Sequence, residues 1–195
     1  MHPTLQHNLY LVKEHVGLFK AANNFDILNP VDGALLMECR EEQLGPITKL
    51  LRFTDYKRMT PFDIQVRDKT GQLVLRIKRG ISFLLSRVEV FDGNDRLLGV
   101  FKQRFFSIGG AFRVLDAAEK VLCELKGNWV GWDFRFLRGQ RQFARVNKRW
   151  SGIGKEMFTS ADNYMLSIEK HVSAEDVSRQ LILAAVLCID MVLKE

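Results

Sequence analysis

The chain has 195 residues, 47% of them hydrophobic, enough for one substantial core and within the length that a single β barrel uses. Lys and Arg number 29 against 23 Asp and Glu, a formal charge of +6, so a polyanion such as phospholipid headgroups or nucleic acid is a fitting partner. Cys39, Cys123 and Cys188 stand far apart without CxxC or Cys/His spacing, which argues against a disulfide framework and a structural zinc site. A reducing, intracellular setting is expected, since the N-terminus lacks the pattern of a secretory signal.

From the N-terminus, a strand is expected near Leu9 to Glu14, followed by five hairpins. They run from Phe25 to Arg40, Phe62 to Lys78, Val88 to Arg104, Phe112 to Lys126 and Trp132 to Lys148, each around a turn of Gly, Asp, Asn, Lys or similar residues. From the second hairpin onward the turns recur about every 24 residues, a spacing that suits antiparallel pairing and is too short for helical crossovers. A closing strand near Asn163 to Glu169 brings the total to about twelve, more than an open twisted sheet carries comfortably. The expected architecture is a mainly β, closed antiparallel barrel forming one domain over residues 1–195, its strands between about 9 and 169. Alternation places Leu73, Leu75 and Ile77 on one face and Arg76 and Lys78 on the other; Leu97 and Phe101 oppose Lys102 and Arg104 in the same way.

The stretch from Arg135 to Lys155 contains no acidic residue and mixes cations with aromatics. Arg135, Arg138, Arg141, Phe143, Arg145, Lys148, Arg149 and Trp150 form the candidate anion-binding face. On a regular strand Arg141, Phe143 and Arg145 project together, a pairing of charge and ring that suits a headgroup interface or a nucleic-acid backbone. The alternative is an ordinary solvated strand face with Phe134 and Phe136 in the core.

The last segment changes period. Ser173 can cap a helix with Asp176 three residues on, and Leu181 to Leu193 is apolar except for Asp190, giving a helix at about 174–194. Thirteen residues rise about 20 Å, short of the roughly 30 Å of a bilayer core but matched to a barrel's height. Leu181, Ala184, Ala185, Leu187, Cys188 and Asp190 are therefore expected inside the barrel. Asp190 is costly to bury as a bare charge and calls for a basic partner or a wet helix end.

The closing stretch from Asn147 to Glu195 resembles the end of the phospholipid scramblase family. The likeness lies in the order of its parts: Trp150 before Ser151-Gly152-Ile153, then Glu156, Phe158 and Thr159, Ala161-Asp162-Asn163 with Tyr164, and the apolar helix containing Ile189-Asp190. The resemblance implies the tubby-like fold, a twelve-stranded barrel around a central C-terminal helix. It also implies membrane association and, in eukaryotic members, calcium-stimulated movement of phospholipids between leaflets. The family's calcium segment would fall on Ser160 to His171, with Asp162, Asn163 and Glu169 as oxygen ligands. Against that, Tyr164, Leu166 and Ile168 alternate as a strand does, and Ser160 and His171 stand where acidic residues are expected. The Pro-rich extension and palmitoylated cysteine run of eukaryotic members are not seen, so membrane contact is expected to be peripheral.

No HExxH, GxSxG or phosphate-loop motif points to covalent catalysis. The leading expectation is a peripheral, cytoplasmic protein that binds anionic phospholipid membranes, with transbilayer lipid movement as the activity the resemblance carries. The alternative is an interaction module whose same basic face meets nucleic acid or an acidic protein.

Overall fold

A computed structural model describes residues 1–15, 22–41, 45–51, 53–54, 60–81, 87–103, 112–128, 132–148 and 163–193 of the chain. The strands are β1 (Leu9–Glu14), β2 (Phe25–Leu28), β3 (Leu35–Arg40), β4 (Phe62–Asp68), β5 (Leu73–Arg79) and β6 (Arg87–Asp92). They continue as β7 (Leu97–Gln103), β8 (Phe112–Asp116), β9 (Val121–Asn128), β10 (Asp133–Arg138), β11 (Arg141–Asn147) and β12 (Asn163–Ile168). A short helix α1 (Pro46–Leu51) lies between β3 and β4, and α2 (Val177–Leu193) follows β12. Every strand pairs antiparallel with its sequence neighbours, and β1 pairs with β12, with Leu9 opposite Ser167 and Val12 opposite Tyr164, so the sheet closes on itself. This is the expected closed barrel of twelve strands with its helix in the core.

Three of the five hairpin turns share one chemistry. Asp68, Asp92 and Asp116 each accept two backbone N–H groups, two and four residues on, with a side-chain oxygen. Each turn then needs one residue at positive φ, taken by Gly71, Asp95 and Glu119, with Gly33 and Gly139 in the other two hairpins. All five hairpins also carry a bulge just beyond the turn, where Leu36, Val74, Leu98, Leu122 and Phe143 are skipped in the pairing. These five apolar side chains pack against or within the core at the tight-turn end of the barrel.

The bulges overturn part of the expected facing. Leu75 and Ile77 point inward, but Val74 is also buried while Leu73 is only half-buried. Leu97 is exposed although Phe101 is buried, because the bulge at Leu98 reverses the alternation between them. Both corrections have one cause: an extra residue in a strand flips every side chain beyond it.

The cap of α2 is Asp176, whose carboxylate accepts the Ser178 N–H at 2.8 Å, and the helix begins at Val177, three residues later than a Ser173 cap would place it. Leu181 through Ile189 are all nearly inaccessible, including Leu181, Ala184, Ala185, Leu187 and Cys188; the Asp190 side chain lies outside the described residues. The crevice between α2 and Val88, Phe101, Phe112, Val114 and Leu125 has a volume of only about 10 Å³, so the helix fills the bore on that side. A Cβ on Gly99 would lie 2.9 Å from Leu181 Cδ1 and nearer still to the Leu115 carbonyl oxygen; β7 approaches the helix too closely for a side chain there. Burial pushes the thiols of Cys123 and Cys188 up to about 12.

Arg179, in the first turn of α2, is buried, and a cation there meets the positive end of the helix dipole. Carbonyl oxygens compensate. Its guanidinium donates to Val172 and Ser173, just after β12, to His7 at 2.9 Å, and to the Asn8 side chain at 2.6 Å, just before β1. One side chain thus ties the helix to both strands of the closing seam. Arg179→Leu strands these acceptors in the interior, where each costs about 1–3 kcal/mol. Urea denaturation is expected to show a loss of roughly 3 kcal/mol or more; a loss below 0.5 kcal/mol would remove Arg179 from the seam's stability.

Candidate functional site: a cationic wall and an aromatic rim

Strands β10 and β11 carry Arg135, Arg138, Arg141 and Arg145 against a single carboxylate, Asp133. Arg135 pairs across to Arg145 on β11 and to Lys126 on β9, so three cations sit side by side on the outer wall. Asp133 restrains them. Its carboxylate receives two hydrogen bonds from Arg145, at 2.7 and 2.8 Å, and lies 3.5 Å from Arg135. The Arg145 bonds hold the Asp133 carboxyl below its usual range. Lys126 is paired with Glu124 at 3.1 Å. Arg141 is exposed and makes no ion pair among the described residues.

Phe143 does not project with Arg141 and Arg145. It is the bulged residue of its hairpin and is buried, with the Arg138 guanidinium 4.8 Å from its ring centre and the His171 ring edge-on at 5.8 Å. Phe134 and Phe136 are in the core. Arg149 and Trp150 lie outside the described residues.

Lys148 is turned away from the wall. At the barrel end with the longer connections, its ammonium sits 3.9 Å from the Trp132 ring centre and 5.0 Å from that of Tyr164. The two rings stack at 5.1 Å with an interplanar angle of 27°, and the Tyr164 hydroxyl donates to the Glu14 carboxylate at 3.2 Å. Trp132 has φ of 47°, a conformation that a bulky residue adopts at a cost. Trp132 and Tyr164 escape a linear reading because β10, β11 and β12 must pair before they meet Lys148.

The expected calcium ligands are not gathered by the described residues. Asn163 opens β12 and is buried, whereas Glu169 follows its other end and accepts from Gln142 at 2.6 Å. Six strand residues put these side chains about 20 Å apart, against ligand distances of roughly 2.3–2.6 Å. Asp162 lies outside the described residues, among which no group of three or more His, Cys, Asp or Glu could hold a metal.

A closed β barrel packed around its own C-terminal helix, with arginines on its wall, defines the class. A family model described as Scramblase matches residues 10–195, and the chain belongs to that family. A phospholipid scramblase family protein of Schizosaccharomyces pombe is 24% identical over 179 residues, covering 84% of this chain and 47% of that protein. The chain therefore spans about half the length of the curated relative it matches. The X-ray structure of a protein from Arabidopsis thaliana shares the fold with a TM-score of 0.57 and 17% identity, over 93% of this chain and 90% of that one. Family membership supports a phospholipid-related role.

Asp133→Asn releases Arg145 and Arg135 without adding bulk. With about 1 kcal/mol per basic charge near an anionic surface, co-sedimentation with anionic vesicles is expected to strengthen about fivefold. Unchanged binding would remove this wall as the contact face.

Proposed function

We propose that the chain is a peripheral phospholipid-binding protein that docks on the cytoplasmic face of anionic membranes through the wall of β9, β10 and β11. The observation that carries this reading is the four arginines of β10 and β11 set against one carboxylate on a rigid wall. Arg135, Arg138 and Arg141 are exposed, so they can reach phosphates without disturbing the core. Arg145 contributes through the charge that Asp133 leaves over.

Docking from one side fits the wall better than insertion. Asp63, Arg76, Lys102, Arg113, Lys126 and Arg135 stand at least partly exposed on the outside of their strands, where a membrane-spanning barrel would present an apolar band. No helix among the described residues is long and apolar enough to cross a membrane. Movement of lipids between leaflets, the activity that the name scramblase describes, would need a polar path through hydrocarbon. In this reading the chain acts by binding and perturbing headgroups at one surface, and leaflet exchange follows from docking.

The test is co-sedimentation with neutral and anionic vesicles, with and without calcium, with a DNA duplex as competitor. Wild type is expected to bind anionic vesicles selectively, and Arg135→Glu/Arg141→Glu to lose at least tenfold in binding with its unfolding midpoint preserved. Equal binding by the folded variant contradicts the wall, and salt-sensitive DNA binding without vesicle retention moves the face to nucleic acid.

A further inference from the structure

The Trp132 and Tyr164 rings present their faces to an ammonium group, and in this structure the chain supplies that group itself through Lys148. A cation is attracted to an aromatic face by the ring's quadrupole, and a pair of such faces is the chemistry that selects alkylated ammonium groups over neutral ones of the same shape. The Tyr164 hydroxyl donates to the Glu14 carboxylate, which enriches the ring in electron density and brings a negative charge to the same rim. Trp132 is held in its uncommon backbone conformation by flanking structure, against the core on one side and edge-on to Phe134 at 5.8 Å. Strain of that kind needs surroundings that over-determine it. Lys148 is not part of the core cluster and, like Trp132, keeps partial exposure, whereas Tyr164 is buried in the core, so a ligand reaches the two rings from the Lys148 side.

We propose that the Trp132–Tyr164 rim is a binding site for a quaternary ammonium group, the chemistry of a choline headgroup, which Lys148 occupies when no ligand is bound. The site deepens the phospholipid reading by naming a headgroup. It lies at the barrel's long-connection end, apart from the exposed Arg141 of the wall. A ligand must displace the Lys148 ammonium, so Lys148 sets the affinity. A small free solute carrying the same ammonium would compete with the lipid.

The experiment starts without membranes, so its failure is separate from a failure of docking. Tetramethylammonium chloride is titrated calorimetrically into wild type, Lys148→Ala and Trp132→Leu/Lys148→Ala, with sodium chloride as the reference and, as control, 3,3-dimethylbutanol, whose tert-butyl group is the uncharged isostere of a trimethylammonium head. Lys148→Ala is expected to bind tetramethylammonium at least threefold more tightly than wild type and to ignore the isostere, and the double variant to lose binding. Where the double variant does not fold, discrimination between ion and isostere by Lys148→Ala decides alone. No binding by folded Lys148→Ala, equal binding of the isostere, or full binding by the folded double variant overturns the proposal. A second arm uses vesicles of fixed phosphatidylglycerol content diluted either with phosphatidylcholine or with a neutral galactolipid. Tighter binding of Lys148→Ala to the phosphatidylcholine mixture identifies the lipid as the source; no preference, with tetramethylammonium binding intact, assigns the site to a free solute.

Discussion

The structure depends on closure of its first strand onto its last. With β1 and β12 unpaired, the sheet would carry two open edges, and an apolar helix would lie against a gap. Closure is non-local, joining residues 150 or more apart in sequence, and it needs a local lock. Arg179 supplies it by satisfying carbonyl groups on both sides of the seam from the first turn of α2. The barrel needs the helix to fill its bore, and the helix, apolar on every side, needs the barrel to exclude water. The repeated bulges complete the arrangement by turning one more apolar side chain inward in each hairpin at the tight-turn end.

That architecture restricts where function can reside. The crevice beside α2 is too small for an acyl chain, and the buried thiols are held protonated, so the packing of α2 against β6, β7, β8 and β9 is scaffold. Charge and aromatic chemistry come together on the wall and on the rim. On the wall, charge is set by cross-strand pairing, where one Asp133 side chain holds two arginines. On the rim, the meeting of β10, β11 and β12 places an ammonium against two rings.

Most of the fold was legible in the sequence because a barrel of hairpins is a local code repeated five times. Turn residues and alternation mark Phe25–Leu28 with Leu35–Arg40, and Asp133–Arg138 with Arg141–Asn147, almost to the residue. The misread faces of Leu73, Leu97 and Phe143 share one origin. A bulge costs one residue and reverses the alternation, and no residue type announces it. The basic stretch was legible as composition, but its charge was overestimated because Asp133 stands two residues before the acid-free run begins. Lys148 was grouped with the wall for the same reason, since the rings that take its ammonium come from neighbouring strands. Asn163 and Glu169 are close in sequence, yet an extended strand separates them. The sequence places the start of α2 three residues early because Ser173 and Asp176 are both good caps; in the structure Asp176 accepts the Ser178 N–H, and the Ser173 carbonyl accepts from Arg179.

Amide hydrogen exchange in the presence of anionic vesicles tests the central claim most directly, since it reads the helix and the wall in one experiment. Residues Leu181 to Ile189 are predicted to stay as protected with vesicles as without, while β10 and β11 gain protection. Deprotection of α2 on vesicle binding, with the wall unchanged, would mean that the helix leaves the barrel for the membrane, and it would contradict the account.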